Sequence, residues 1–209
     1  MKTKHLLSAL TLSALSTFSQ AQIAGHNVIL VHGFSADDLF NPPTENEIVQ
    51  NGENYWSDFW NTRSEARFDW DSSQRVEGGT AQRLYDYAVD LSLQGLCNSG
   101  CVMVTHSTGD LVTRYFVENQ ADWLSAAGYT PLDILLVLDF GGAGGGTEIA
   151  DTAISLATSD DWFSSAAVAA VEAWVGGELE EDNLGVLYDL QPANARNIAT
   201  SPSAVPHLR

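Results

Sequence analysis

Residues Val102 to Val112 read Val-Met-Val-Thr-His-Ser-Thr-Gly-Asp-Leu-Val, and this stretch constrains the fold more than any other. A β-branched, apolar run halts at a serine between small or polar residues, then resumes with helical spacing at Leu111 and Val112. The order is strand, sharp turn, helix. Such a turn lifts a serine hydroxyl above the sheet edge and aims the following amide toward the helix N-terminus, which is a nucleophile's position. The pattern is close to G-x-S-x-G, with Thr105 in place of the first glycine.

Two further runs have the character of strands buried on both faces of a parallel sheet, Asn27 to Val31 and Ile134 to Leu138. The first ends in His32-Gly33-Phe34-Ser35, where the glycine lets the backbone turn over the sheet edge so that the Phe34 amide can face a negatively charged oxygen. The second ends in Asp139-Phe140 and the run Gly141 to Gly146. A dinucleotide fingerprint started at Gly142 meets Thr147 where its third glycine belongs, so this loop is read as a hinge before a flap.

Between the strands, Ser35 to Gln50 reads as a polar loop, and Tyr55, Trp56, Phe59 and Trp60 fall on one apolar helix face used for core packing. Arg67 to Trp70 is a short strand candidate. Thr80 is placed as the N-cap of a helix whose stripe is Leu84, Ala88 and Leu91, ending near Gly95. Leu111, Val112, Tyr115 and Phe116 mark the buried side of the helix after the serine. Glu148 to Ala157 and Ser164 to Val175 read as two helices, either a lid over the serine within residues 147–190 or ordinary sheet-flanking helices. Leu184 to Leu190 with Pro192 to Asn194 form a short helix and turn, and Ala204 to Arg209 resembles the opening of a further strand. Strands alternating with helices predict an α/β architecture with a mostly parallel sheet.

Lys2 and Lys4 precede an apolar segment from Leu6 to Phe18 and then Ser19-Gln20-Ala21, which predicts a secretory signal over residues 1–21 with cleavage after Ala21. The segment is too short for a permanent anchor, so no stable membrane attachment is expected, and residues 22–209 form one domain. The whole chain carries 27 acids against 9 basic residues, a net charge of −18, and loss of Lys2 and Lys4 leaves seven arginines against 27 acids, or −20. Such a surface repels nucleic acid and anionic membranes, and nucleic acid is excluded as a partner. Cys97 and Cys101 are the two cysteines, and an oxidising destination favours a disulfide between them over two buried free thiols or a zinc site.

With His-Gly-Phe after an early strand and Thr-His-Ser-Thr-Gly at a later elbow, the chain from about Asn27 onward resembles the α/β-hydrolase family, in particular its bacterial lipase and esterase branch. The resemblance implies that Ser107 is the nucleophile and that the amides of Phe34 and Thr108 form the oxyanion hole, with no metal or cofactor. It also implies a serine, acid, histidine order. Asp139 is then a candidate acid, and His207, the histidine downstream of Ser107, a candidate base, while His32 and His106 take structural roles. Most bacterial relatives carry the acid after the next strand, which would begin near Val205, so the expectation is a hydrolase fold incomplete at its C-terminus. The implied function is a secreted or periplasmic serine hydrolase of carboxylic esters working through an acyl-enzyme on a small ester or lipid. The alternative is a protein of this fold that binds lipid or ester ligands without turnover.

Overall fold

The computed structural model describes residues 23–158, 164–177, 179, 181, 184–198 and 205–209. The signal segment expected over residues 1–21 lies outside them. Five parallel strands form one sheet in the order β2-β1-β3-β4-β5: β1 Asn27–Val31, β2 Ala66–Phe68, β3 Cys101–His106, β4 Ile134–Phe140 and β5 His207–Leu208. Helices flank it, so the chain has an α/β fold. They are α1 Asp37–Phe40, α2 Glu45–Tyr55, α3 Asp58–Asn61, α4 Ala81–Gln94, α5 Gly109–Ala126, α6 Glu148–Thr158, α7 Ser165–Val175 and α8 Pro192–Ile198.

The unbroken apolar runs of β1 and β3 become central strands because both faces of the sheet are covered there; β4, expected to be buried on both faces, instead has Ile134 and Val137 buried and Leu135 exposed, because the second layer does not reach over it. On one face Ile29, Val31, Phe68, Met103 and Val137 join a core built with α4 and α5, where Leu84, Ala88, Leu111, Val112 and Phe116 are fully or almost fully buried. Each of these larger aliphatic and aromatic side chains contributes about 1.5–3 kcal/mol relative to exposure. On the other face Val28, Leu30 and Val104 pack under Trp56, with Tyr55, Trp60 and Leu138 at the margin. That second layer is thinner, and Phe140 and Leu208 stay 48% and 58% exposed.

Three local readings are corrected. Residues 35–50 are not all loop: α1 and most of α2 lie there, because Thr44 and Glu47 close a capping box and Ile48 is buried beneath a helix otherwise too polar to show a stripe. The aromatic cluster spans two helices, since α2 ends at Tyr55 and α3 starts at Asp58, leaving Phe59 54% exposed. Thr80 does not cap α4; it has helical dihedrals and a buried hydroxyl without a partner, following a π-turn over Val76–Thr80. The Cys97–Cys101 disulfide is formed, with an S–S distance of 2.07 Å. Among the described residues no helix is long and apolar enough to cross a membrane.

Candidate active site

The chain leaves β1 for β2 on one side and returns to β3 on the other, so the sheet order reverses between β1 and β3. In open α/β sheets the crevice outside the carboxyl ends of such a pair is where ligands bind. Here those ends run into His32-Gly33-Phe34 and into Ser107.

Ser107 follows β3 directly and has φ of 54°, a left-handed conformation that a non-glycine residue adopts only when its surroundings enforce it. The surroundings are backbone. Ser107 N–H donates to the Phe140 carbonyl at 3.1 Å, and the Ser107 carbonyl accepts from Ala143 N–H at 2.9 Å and Asp110 N–H at 3.1 Å. Gly109 presses on β1 so closely that a Cβ there would stand 2.5 Å from the Val31 carbonyl oxygen and 2.6 Å from that of His32. At Gly33 a Cβ would stand 2.9 Å from both the His106 carbonyl oxygen and Ser107 Cβ, and would collide with the Tyr55 hydroxyl. Thr105, at the position of the first motif glycine, is fully buried and turns its hydroxyl to Asp139 at 3.3 Å.

The loop after β1 is braced from below. Asp38 accepts from Ser35 Oγ at 2.9 Å and Ser72 N–H at 3.0 Å, while Ser35 N–H donates to Ser72 Oγ at 2.9 Å. Burial pushes the Asp38 carboxyl above the usual carboxylate range, against the hydrogen bonds that hold it down. His32 is buried, accepts from Trp70 N–H through Nε2 at 3.0 Å and faces the Gly33 carbonyl through Nδ1 at 2.8 Å. This geometry requires the neutral ring with its proton on Nδ1, and burial lowers its pKa to about 4. Among the described residues, no acceptor is found for the amide of Phe34 or of Thr108.

A cleft of about 380 Å³ opens over Ser107. Its polar side holds Tyr55 and His106, joined by a hydrogen bond between Oη and Nδ1; its apolar side includes Ile149, Leu190 and the stacked pair Phe34–Trp174, with centroids 5.4 Å apart. Thr147, Ile149 and Trp174 thus bring the start of α6 and the end of α7 to the cleft. The glycine loop between β4 and α6, expected as a hinge, is clasped: besides Ala143, Gly144 N–H donates to Asp110 at 3.0 Å, and Thr147 N–H to the Leu190 carbonyl at 2.8 Å.

Asp139 and His207 do not line this cleft. Asp139 closes β4 almost fully buried, with Arg209 Nε 3.1 Å from its Oδ2; burial and the neighbouring Asp110 raise its pKa. His207 lies in β5 opposite Val137, its Nδ1 on the Val205 carbonyl at 3.0 Å and its Nε2 4.0 Å from Asp110. Both side chains belong to a charge cluster in which Asp110, fully buried, also meets Arg114 at 2.9 Å and Arg209 at 3.1 Å. No hydrogen bond joins Ser107 to an imidazole among the described residues. Tyr55 and His106, expected to serve packing and structure, thus face the cleft, and the sequence does not mark Asp38, Trp174 or Asp110 for this setting. The Ser35-x-x-Asp38 spacing, a local side-chain turn, was the available signal for one of them. No group of three or more His, Cys, Asp or Glu side chains arranged to hold a metal ion occurs among the described residues.

No protein-family model matches this chain, and no curated protein matches it. Among solved structures, that of a metagenomic carboxyl esterase aligns with 90% of the chain at a TM-score of 0.48 and 16% identity; the chain spans 50% of the length of that esterase.

Proposed function

We propose that the chain is a serine hydrolase acting on carboxylic esters through an acyl-enzyme on Ser107. The observation that carries this reading is the left-handed φ of Ser107 at the carboxyl edge of β3, beside two amides without acceptors. Ser107 Oγ attacks the ester carbonyl, and the charge that gathers on its oxygen is met by the Phe34 and Thr108 N–H groups. The alcohol leaves with a proton and water releases the acid. Preorganised donors without a base bonded to the serine retain only a small part of the acceleration, on the order of 10³–10⁴ over water. The apolar wall of Phe34, Trp174 and Ile149 suits an acyl chain, and the helices that supply it act as a lid over residues 147–190. Export through the N-terminal signal completes the proposal.

Fluorophosphonate labelling tests it directly. The parent chain is expected to be labelled at Ser107 and to hydrolyse p-nitrophenyl butyrate slowly, with Ser107→Ala abolishing both; labelling elsewhere, or unchanged in the variant, overturns the proposal. A second reading, ligand binding without turnover, is favoured by the engagement of His207 with Asp110. Turnover that depends on Ser107 rejects it.

A further inference from the structure

Away from the Ser107 cleft, a surface groove of about 440 Å³ runs between the start of α4 and the later turns of α5, beside the π-turn that carries Glu77. Three half-buried rings line it: Tyr85, Tyr115 and Trp123. They do not stack as a flat tray. Tyr85 stands at 79° to Trp123 with centroids 6.5 Å apart, and Tyr115 at 59° with centroids 5.7 Å apart, so the two tyrosines rise as walls beside the indole. Among the described residues the polar tips of all three rings lack protein partners, so they are not held there by hydrogen bonds. The one charged side chain lining the groove is Glu77, whose carboxylate is close enough to add to the burial that raises the Tyr115 pKa. No arginine lines it.

We propose that this aromatic corner binds a quaternary or alkylated ammonium ion of the choline type. Ring faces present negative potential, walls at steep angles offer it from more than one side, and a carboxylate at the rim completes the complementarity to a soft cation. The net charge of −18 raises the local concentration of cations further. A saccharide would need a flat ring face to lie on, and a phosphate-bearing headgroup would meet Glu77 and the acidic surface. The expected ligand is therefore the free ammonium compound. This inference is independent of the reaction at Ser107.

Calorimetric titration with choline, with its uncharged carbon isostere 3,3-dimethyl-1-butanol and with phosphocholine tests it on the full chain. Choline is expected to bind, the isostere to bind at least about tenfold more weakly, and phosphocholine to lie between them. Glu77→Gln, on an exposed side chain, should weaken choline about threefold, and Tyr85→Ala and Trp123→Ala about fivefold to tenfold each. Circular dichroism and urea unfolding report whether each variant is folded. No heat with choline at tens of millimolar overturns the proposal. So does equal binding of the isostere, binding of cellotetraose in place of choline, or choline affinity untouched by both Glu77→Gln and Tyr85→Ala.

Discussion

The two halves of the sheet's carboxyl edge are built by different means. Where β1 and β3 end, position is enforced by backbone against backbone at Gly33 and Gly109, and by hydrogen bonds to neutral or singly buried groups such as His32 and Asp38. Where β4 and β5 end, Asp110 and Asp139 gather with Arg114 and Arg209 into one charge cluster, with His207 Nε2 4.0 Å from Asp110. Steric and main-chain contacts fix a geometry whatever the state of ionisation, while a cluster of opposed charges holds its members to each other and away from the serine. The first half therefore fixes the backbone around Ser107 and Phe34, and the second ties the sheet edge to α5.

The largest effect is expected from breaking the first half at its tightest point. Gly109→Ala places a methyl against two β1 carbonyl oxygens, and should cost about 3 kcal/mol in urea unfolding and remove labelling of Ser107. A fully labelled, equally stable variant would show that the elbow is not held by this contact. Next comes acid titration. The unfolded His32 ring takes its proton near the ordinary imidazole value of 6.5 and the folded one only at about 4, so its contribution is complete above the unfolded value and is lost as pH falls through this window. The raised carboxyls of Asp38, Asp69 and Asp139 act in the opposite sense, because the folded chain protonates them first. The stability gap between the parent and His32→Gln should therefore narrow by about 3 kcal/mol from pH 7 to pH 4, and a constant gap contradicts this account.

Tyr55→Phe removes one hydrogen bond at the cleft and should slow labelling of Ser107 about fivefold, while lowering stability by about 1 kcal/mol. The smallest effect sharpens the contrast most. His207→Gln should leave the rate of labelling within about twofold of the parent, as expected for a residue that faces the cluster rather than the serine. A collapse in that rate would make the two halves one machine.

Much of this was legible in the chain. The runs Val28 to Val31 in β1 and Val102 to Val104 in β3 are apolar and buried throughout, and an uninterrupted apolar run ending near glycine or serine is a strong local signal. The helix α2 was hidden because its stability comes from the Thr44–Glu47 box and little more than Ile48. The pairs that shape the site were hidden for another reason. Tyr55 meets His106 across 51 positions and Asp38 meets Ser72 across 34, and neither residue type announces so distant a partner. His207 stood out for being the downstream histidine, yet its surroundings are set by β4 and α5, which its own neighbours in sequence do not reveal.

The clasp between Asp38 and Ser72 also bears on how this architecture can vary. Between that clasp and β2, the polar helix α2 and the aromatic turn at α3 form an excursion that leaves the sheet edge and returns to it. Because closure cost grows only slowly with the length enclosed, residues could be inserted or grafted within that excursion while the Phe34 amide keeps its bearing. The fold thus offers a place to rewrite one rim of the cleft without retuning the atoms beneath it.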